Sequence, residues 1–365
     1  MKKIALVTGS TGLLGSWLIC ALLRSGRYSQ IHTIARANSN ASARARVFRL
    51  LKVIPHKINS KVFEKLTVIK GDVSAHNLGL GIGDLNSLEI GGVTDIFHVA
   101  AVADFNMSLT QIRPTNVVGT QNVFTMALAL KQRRKKFPMR VHYISTIAIA
   151  GNSAGWFDEN QFDIKQSFNN AYEQSKYEAE KIARKYFKSD LVVKIYRPAI
   201  ITGDSKYGIT TNFKMIYQPL HFLSHNLFQE LPANGECLYS FVPVDKVADA
   251  ISILSECNLS ENSVHHLVNP YEIRLDAFIK MASRVLKFEK PLLLPLSKFR
   301  RNKLSEAQWK LIDPFVPYFN YRLRFKATAT NNLLETLGFH WPKVDGILLK
   351  TLLDFCAKSK FIPLE

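Results

Sequence analysis

Short apolar runs alternate with helical periodicity through the first half of the chain. Residues 4–8, 30–35, 66–70, 95–99 and 140–145 read as strands. Residues 13–25 and 117–130 place apolar side chains at helical spacing, and 171–187 does so again before a further strand at 191–196. Strand and helix in alternation predict an α/β fold built on a parallel sheet. Beyond about residue 200 the alternation weakens. Residues 241–244 and 264–268 read as two more strands, and the rest is mostly helical, punctuated by Pro291, Pro295, Pro314 and Pro317. We therefore expect a doubly wound sheet domain over residues 1–204, with 237–270 returning to it, and a smaller, mainly helical substrate-binding part over 205–236 and 271–365.

The turn after the first strand reads Thr8-Gly9-Ser10-Thr11-Gly12-Leu13-Leu14-Gly15. Glycines placed between a strand and a helix make a backbone cradle for a pyrophosphate. Gly9 permits the tight turn, Gly12 lets the backbone approach the phosphates, and Gly15 lets the helix pack on the strand. With Thr8, Thr11 and Leu13 they form the candidate dinucleotide site of a Rossmann-type sheet. The second strand ends at Arg36. A carboxylate there would bind the ribose 2′-hydroxyl of NAD, whereas a cation suits the 2′-phosphate of NADP. Arg44 and Arg46, in the next helix, can join it. Asp72 and Val73 follow the third strand, where an acceptor meets the adenine amino group. Ala100 and Ala101 follow the fourth, where small side chains let a dinucleotide lie close to the backbone.

Far downstream, Tyr172 and Lys176 stand at i and i+4, one turn apart on one helix face. A phenol with a pKa of about 10 is a poor acid–base group at neutral pH unless a cation favours its ionised form. Lys176 can supply that cation and also bind the nicotinamide ribose. Thr146, ending the preceding strand, can hydrogen-bond a substrate oxygen that Tyr172 protonates as hydride arrives. A Tyr-x-x-x-Lys pair is commonplace on helix surfaces. The glycine fingerprint, the Ser/Thr after a strand and the intervening length give it meaning here.

The formal net charge of +19 draws anionic partners. Its densest run, residues 131–136, ends a predicted helix, where cations offset the negative end of the dipole. It also falls on the edge of the sheet opposite the cofactor. No binding module or basic–aromatic interleaving points to specific nucleic-acid recognition. No apolar run approaches the roughly 18 residues of a membrane span, and the apolar stretch after Met1-Lys2-Lys3 breaks at the glycine turn rather than forming a signal peptide. Cys20, Cys237, Cys257 and Cys356 are scattered without metal-ligand spacing, so we expect no metal site and read them as reduced filler in a cytoplasmic protein.

The chain resembles the extended short-chain dehydrogenase/reductase superfamily. Phe97-His98-Val99-Ala100-Ala101 is similar to its fourth-strand motif, and Asn116-Val117-Val118-Gly119-Thr120 to its helix motif, whose Asn supports the proton relay. Tyr196-Arg197-Pro198 and Phe241-Val242-Pro243-Val244-Asp245 match later landmarks. Within the superfamily the resemblance is to thioester reductases: the terminal reductase domains of nonribosomal peptide synthetases and carboxylic acid reductases, with fatty acyl-CoA reductases. It rests on Ala35-Arg36-Ala37, on Gly71-Asp72-Val73-Ser74 with Leu78-Gly79-Leu80, on Ser145-Thr146, and above all on residues 197–205 continuing to Gly208 and Asn212. It covers roughly residues 1–270, and Pro317-Tyr318-Phe319 and Arg324-Phe325 are similar to the C-terminal region of some acyl reductases. Ala199 departs from the glycine usual there.

The resemblance implies an NADPH-dependent reductase of an acyl thioester carried by CoA or by a phosphopantetheine carrier protein in trans. The product is an aldehyde, or an alcohol after a second hydride. Thr146, Tyr172 and Lys176 with Asn116 are its catalytic group, and Arg197, Pro198 and Ala199 join the cofactor site. Lys298, Arg300, Arg301 and Lys303 are placed to meet an acidic carrier, with solvated surface the plainer reading. The chain would act as a monomer or homodimer. The main alternative is an extended reductase or epimerase acting on a free ketone or nucleotide-sugar. A non-catalytic dinucleotide sensor is the other, and the retained Thr146, Tyr172 and Lys176 argue against it.

Overall fold

A computed structural model describes residues 3–55, 58–257 and 261–362; Met1-Lys2 of the basic start lies outside them. Strands β1 (Lys3–Thr8), β2 (Tyr28–Ala35), β3 (Leu66–Lys70), β4 (Asp95–His98), β5 (Arg140–Ile144), β6 (Val192–Pro198) and β7 (Ser263–Leu267) form one parallel sheet. Their order is β3-β2-β1-β4-β5-β6-β7. The chain winds outward from β1, returns beside it as β4 and winds the other way. The carboxyl ends of β1 and β4 therefore part at a topological switch point, where ligand sites sit. The predicted doubly wound sheet is present. The run at 264–268 supplies its seventh strand, while Phe241–Pro243 pairs with Ile200–Thr202 in a separate ribbon.

Helix α1 (Leu13–Ser25) starts at Gly12 and stops at Gly26, whose φ of 67° is the left-handed conformation that closes helices. Helix α2 (Asn40–Val53) starts from a reciprocal cap between Ser39 and Ser42. The predicted helix at 117–130 belongs to a longer run. Leu109–Arg113 leads through a π-helical turn, Pro114–Val118, into α3 (Gly119–Arg133). Pro114 has no N–H to continue the hydrogen-bond ladder, so the ladder resets there. Helix α4 (Ala171–Lys185) is capped by Asn170, whose side chain accepts from Glu173 N. Its buried stripe is unusual in carrying Glu173, Ser175, Lys176 and Glu180. Polar groups buried together need partners, and the site below supplies them.

A second apolar core lies beside the sheet. It joins helices α5 (Tyr217–Ser224), α7 (Leu275–Leu286) and α9 (Gly346–Lys358) with Phe315 and Phe319. Between α5 and α7 in sequence, α6 (Val244–Leu254) packs on α1 in the main core. The segment around α8 (Thr328–Thr336) departs from the expected helical part: Ala327, Leu334, Phe339 and Trp341 join the main core with α1 and α6. Thr330 anchors it, its Oγ1 3.0 Å from His265 Nδ1 on β7. The basic run at 131–136 closes α3. Lys131 Nζ donates to the carbonyls of Lys135 and Phe137 at 2.7 and 3.0 Å, and Arg134 lies over the Phe137 ring.

Candidate active site

The loop after β1 turns on Gly9, whose φ is 76°. A Cβ there would stand 2.6 Å from Ala100 N, and one at Gly15 would stand 2.1 Å from Gly9 O. The glycines thus keep β4 and the first turn of α1 closed against the loop. Gly12 N donates to Gly9 O at 3.0 Å, and the amino end of α1 faces a cavity of about 620 Å³. This cradle fits a pyrophosphate: backbone donors, a favourable helix end, and no side chain in the way.

The cavity gathers most of the residues singled out by sequence. Thr11 and Leu13 line it beside the glycines. Arg36 and Arg46 stand at its exposed rim, the Arg46 guanidinium bonded to the Arg36 carbonyl. Arg44 instead lies over Phe48. Asp72 and Val73 form the wall beyond β3, with Asp72 Oδ1 accepting from Ser74 N and Oγ at 2.9 and 2.8 Å. Ala100, Ala101, Pro198 and Ala199 line it too, and Ala199 N donates to Leu267 O, tying that corner to β7.

Thr146, Tyr172 and Lys176 come to the same cavity. Thr146 leaves β5 and caps the following turn by accepting from Ala148 N at 3.2 Å. Burial pushes the Tyr172 phenol up to about 12, partly opposed by its hydrogen bond with Thr146. It is therefore a protonated donor at neutral pH. Lys176 Nζ donates to Ile144 O at 2.7 Å and lies 4.5 Å from the centre of the Tyr143 ring. Burial pushes its ammonium down to about 7, with Glu180 opposing.

Three of the candidate residues stand behind the cavity lining rather than on it. Arg197 does not reach the cofactor cavity. It is wholly buried on the other side of β6, paired with Glu180 and donating to Gln161 O at 2.9 Å. Thr8 is also buried, its Oγ1 2.8 Å from His98 Nδ1 and accepting from Ala100 N, so it braces the loop from behind. Asn116 sits on the π-helical turn and does not touch Tyr172 or Lys176 through any hydrogen bond found among the described residues. It brackets Val102, accepting from its N at 2.7 Å and donating to its O at 3.0 Å, and donates to Ser175 Oγ at 2.9 Å. It positions the backbone beside the site.

Other wall residues escaped the sequence reading. Phe105 stacks on Tyr318, ring centres 4.9 Å apart. Tyr318 donates to the buried Glu173 carboxylate at 2.6 Å and accepts from Asn170 Nδ2 at 2.7 Å. Lys214 reaches Asp104 at 2.8 Å across the mouth. Phe105 and Lys214 come from irregular loops without periodicity. The Pro317-Tyr318-Phe319 stretch was the signal for Tyr318.

Fold and site define an NAD(P)-dependent oxidoreductase of the extended short-chain dehydrogenase/reductase type. The family described as Male sterility protein matches residues 7–251, and the chain belongs to it. The non-canonical nonribosomal peptide synthetase cpsA of Aspergillus campestris is 29% identical over 70% of this chain and 25% of its own length. Aldehyde reductase lnbA of Aspergillus flavus is 26% identical over 72% of this chain and 26% of its own length. The chain spans 7% to 36% of the length of the first curated relatives it matches. Among solved structures, the terminal R domain from the myxalamid PKS-NRPS biosynthetic pathway superposes with a TM-score of 0.82 at 23% identity, covering 100% of this chain and 92% of that one. A thiolation-reductase di-domain from an archaeal non-ribosomal peptide synthetase gives 0.76 at 20% identity, again covering 100% of this chain and 92% of that one. These likenesses are of fold.

Proposed function

We propose that this chain reduces an acyl thioester, carried by CoA or by the phosphopantetheine arm of a carrier protein in trans, to an aldehyde with NADPH. The single observation that carries the reading is one cavity joining the pyrophosphate cradle and the basic pair Arg36 and Arg46 to Thr146, Tyr172 and Lys176. The relatives named as a peptide synthetase and an aldehyde reductase support it.

A nicotinamide dinucleotide held by the Gly9–Gly15 cradle would supply the hydride for the thioester carbonyl carbon. Thr146 and Tyr172 hold the carbonyl oxygen, and Tyr172 gives it a proton as charge develops there. The resulting hemithioacetal then breaks its C–S bond, releasing aldehyde and free thiol. Lys176, held on Ile144 O, would bind the nicotinamide ribose and favour the ionised phenol after proton transfer. Arg36 and Arg46 hold the 2′-phosphate. Reduction on to the alcohol would need a second NADPH in exchange for the spent NADP, with Tyr172 again giving the proton.

The test follows NADPH absorbance with acyl-CoA and acyl-carrier thioesters, NADH in parallel. We expect NADPH to be consumed, an aldehyde to form, and Tyr172→Phe to lower the rate by about 10²–10⁴ without loss of NADPH binding. NADPH binding with turnover only of a ketone or a nucleotide-sugar would replace this reading by the free small-molecule one.

A further inference from the structure

Glu173 follows the candidate acid Tyr172 directly and has no part in the steps above. It is wholly buried, and burial pushes its carboxyl pKa up. No cation is paired with it among the described residues. It accepts instead from Asn169 N at 2.8 Å, from Asn169 Nδ2 at 3.1 Å and, in the shortest of its hydrogen bonds, from Tyr318 Oη at 2.6 Å. A buried carboxylate without a cation destabilises a fold, and groups of this kind gather where a protein acts.

Tyr318 belongs to the other half of the molecule. Its carbonyl accepts from Tyr239 Oη at 2.7 Å, and the next carbonyl, Phe319 O, accepts from Asn234 N at 2.9 Å. The backbone here is therefore fastened to the second core. Tyr318 Oη crosses from it to the start of α4, reaching both Glu173 and the cap residue Asn170. The same short segment supplies Phe315, Tyr318 and Phe319 to the cavity wall. Phe105 stands among these rings. It stacks on Tyr318, and its centre lies 6.0 Å from those of Phe315 and of Tyr172 itself. A shift of Tyr318 thus reaches the reacting phenol through one intervening ring.

We infer that Glu173 and Tyr318 are positioning residues: their hydrogen bond clasps the C-terminal part to α4 and sets where the substrate carbonyl stands against Tyr172. This rests on the reductase reading, since the clasp acts on the proposed acid. A misplacement of about 1 Å is enough to slow a reaction by roughly 10²-fold. One hydroxyl far from the glycine cradle therefore governs the rate without governing cofactor binding.

Tyr318→Phe keeps the ring on Phe105 and removes only the hydroxyl. It should lower kcat by about ten- to a hundredfold and leave NADPH affinity at the native value, a split that a merely structural tyrosine would not produce. Glu173→Gln, which keeps an oxygen for Tyr318, should hold more activity than Glu173→Met. Tyr318→Phe combined with Glu173→Met should be no slower than the slower single variant, because the two act as a unit. Amide hydrogen exchange reads the clasp without any substrate. Between Asp313 and Asn320 it should quicken by roughly tenfold or more in Tyr318→Phe, as loss of a hydrogen bond to a charged acceptor allows. Unchanged exchange, or effects of the two substitutions on kcat that multiply, would overturn the clasp, whatever thioesters are reduced. Quickened exchange in a protein that reduces no thioester would uphold the clasp and sink the reductase reading.

Discussion

Arg197 and Glu180 lie fully buried against each other beneath the candidate site, Nη2 2.6 Å from Oε1 and Nε 3.1 Å from Oε2. The same carboxylate accepts from Ser145 Oγ at 2.6 Å and from Arg184 Nε at 2.9 Å. One anion thus joins the end of β5, which leads into Thr146, to α4, which carries Tyr172 and Lys176, and to β6. Removing one partner leaves a buried charge uncompensated, which is more damaging than removing both.

Arg197→Met should therefore cost about 3–5 kcal/mol of stability, measured by urea unfolding. Glu180→Gln with Arg197→Met should recover part of that loss. Burial pushes the Glu180 carboxyl up, but Arg197, Arg184 and Ser145 together hold it below its unfolded value of 4.5. The stability it contributes is present above that value and is lost as pH falls through the depressed folded one. A double variant as unstable as the single would show that the two side chains do not act as a pair.

Lys176 predicts the same sign in a higher pH window. In the fold its pKa is about 7, against 10.5 for the free side chain. Between those values the unfolded chain holds a proton that the folded chain does not, so stability rises with pH through this window. Lys176→Met removes that dependence. Urea midpoints of the two proteins, compared at neutral pH and near the upper end of the window, should show the native protein gaining on the variant as pH rises. A difference that does not change with pH would mean that the ammonium stays charged in the fold.

Arg36 and Arg46 carry the cofactor prediction. Both are exposed at the rim, and the Arg46 guanidinium is engaged there by the Arg36 backbone carbonyl, a partner that a phosphate can displace. A charge-assisted hydrogen bond is worth about 1.5–3 kcal/mol. The double variant Arg36→Gln, Arg46→Gln should lose NADPH affinity by roughly tenfold or more and leave NADH affinity nearly unchanged, read by cofactor titration. Equal loss for both nucleotides would place the 2′-phosphate elsewhere.

The sheet was legible because a parallel strand covered on both faces is an apolar run bounded by polar turns, as residues 4–8 show before the glycine loop. The glycine loop was legible because its backbone demands show directly as residue type. Arg197 was not. Sequence places it beside Pro198 and Ala199, which do line the cavity, but successive side chains on a strand face opposite ways. Nothing local tells that its face is closed by Glu180, 17 residues earlier on a helix. The break at Pro114 hid the start of the long helix for a similar reason: proline usually ends a helical pattern, and here a π-helical turn carries the chain through it. The clasp was invisible because Glu173 and Tyr318 stand 145 residues apart, and neither side chain alone names its partner.

Gly12 and Gly15 separate two roles that sequence assigns to one motif. At Gly15 an added Cβ meets the Gly9 carbonyl oxygen at 2.1 Å. Both groups are backbone, so nothing flexible can yield, and the loop must pull away from α1. At Gly12 the corresponding distance is 3.3 Å and φ is −91°, a conformation alanine adopts freely. The fold can accept that methyl group if the Gly9 carbonyl gives by a few tenths of an ångström, but it stands at the amino end of α1 where the pyrophosphate would approach. Gly15→Ala should therefore lower the urea midpoint even without cofactor. Gly12→Ala should leave the midpoint near that of the native protein while weakening NADPH binding. If Gly12→Ala binds NADPH as the native protein does, the phosphates do not rest on the end of this helix, and the cradle is a structural turn alone.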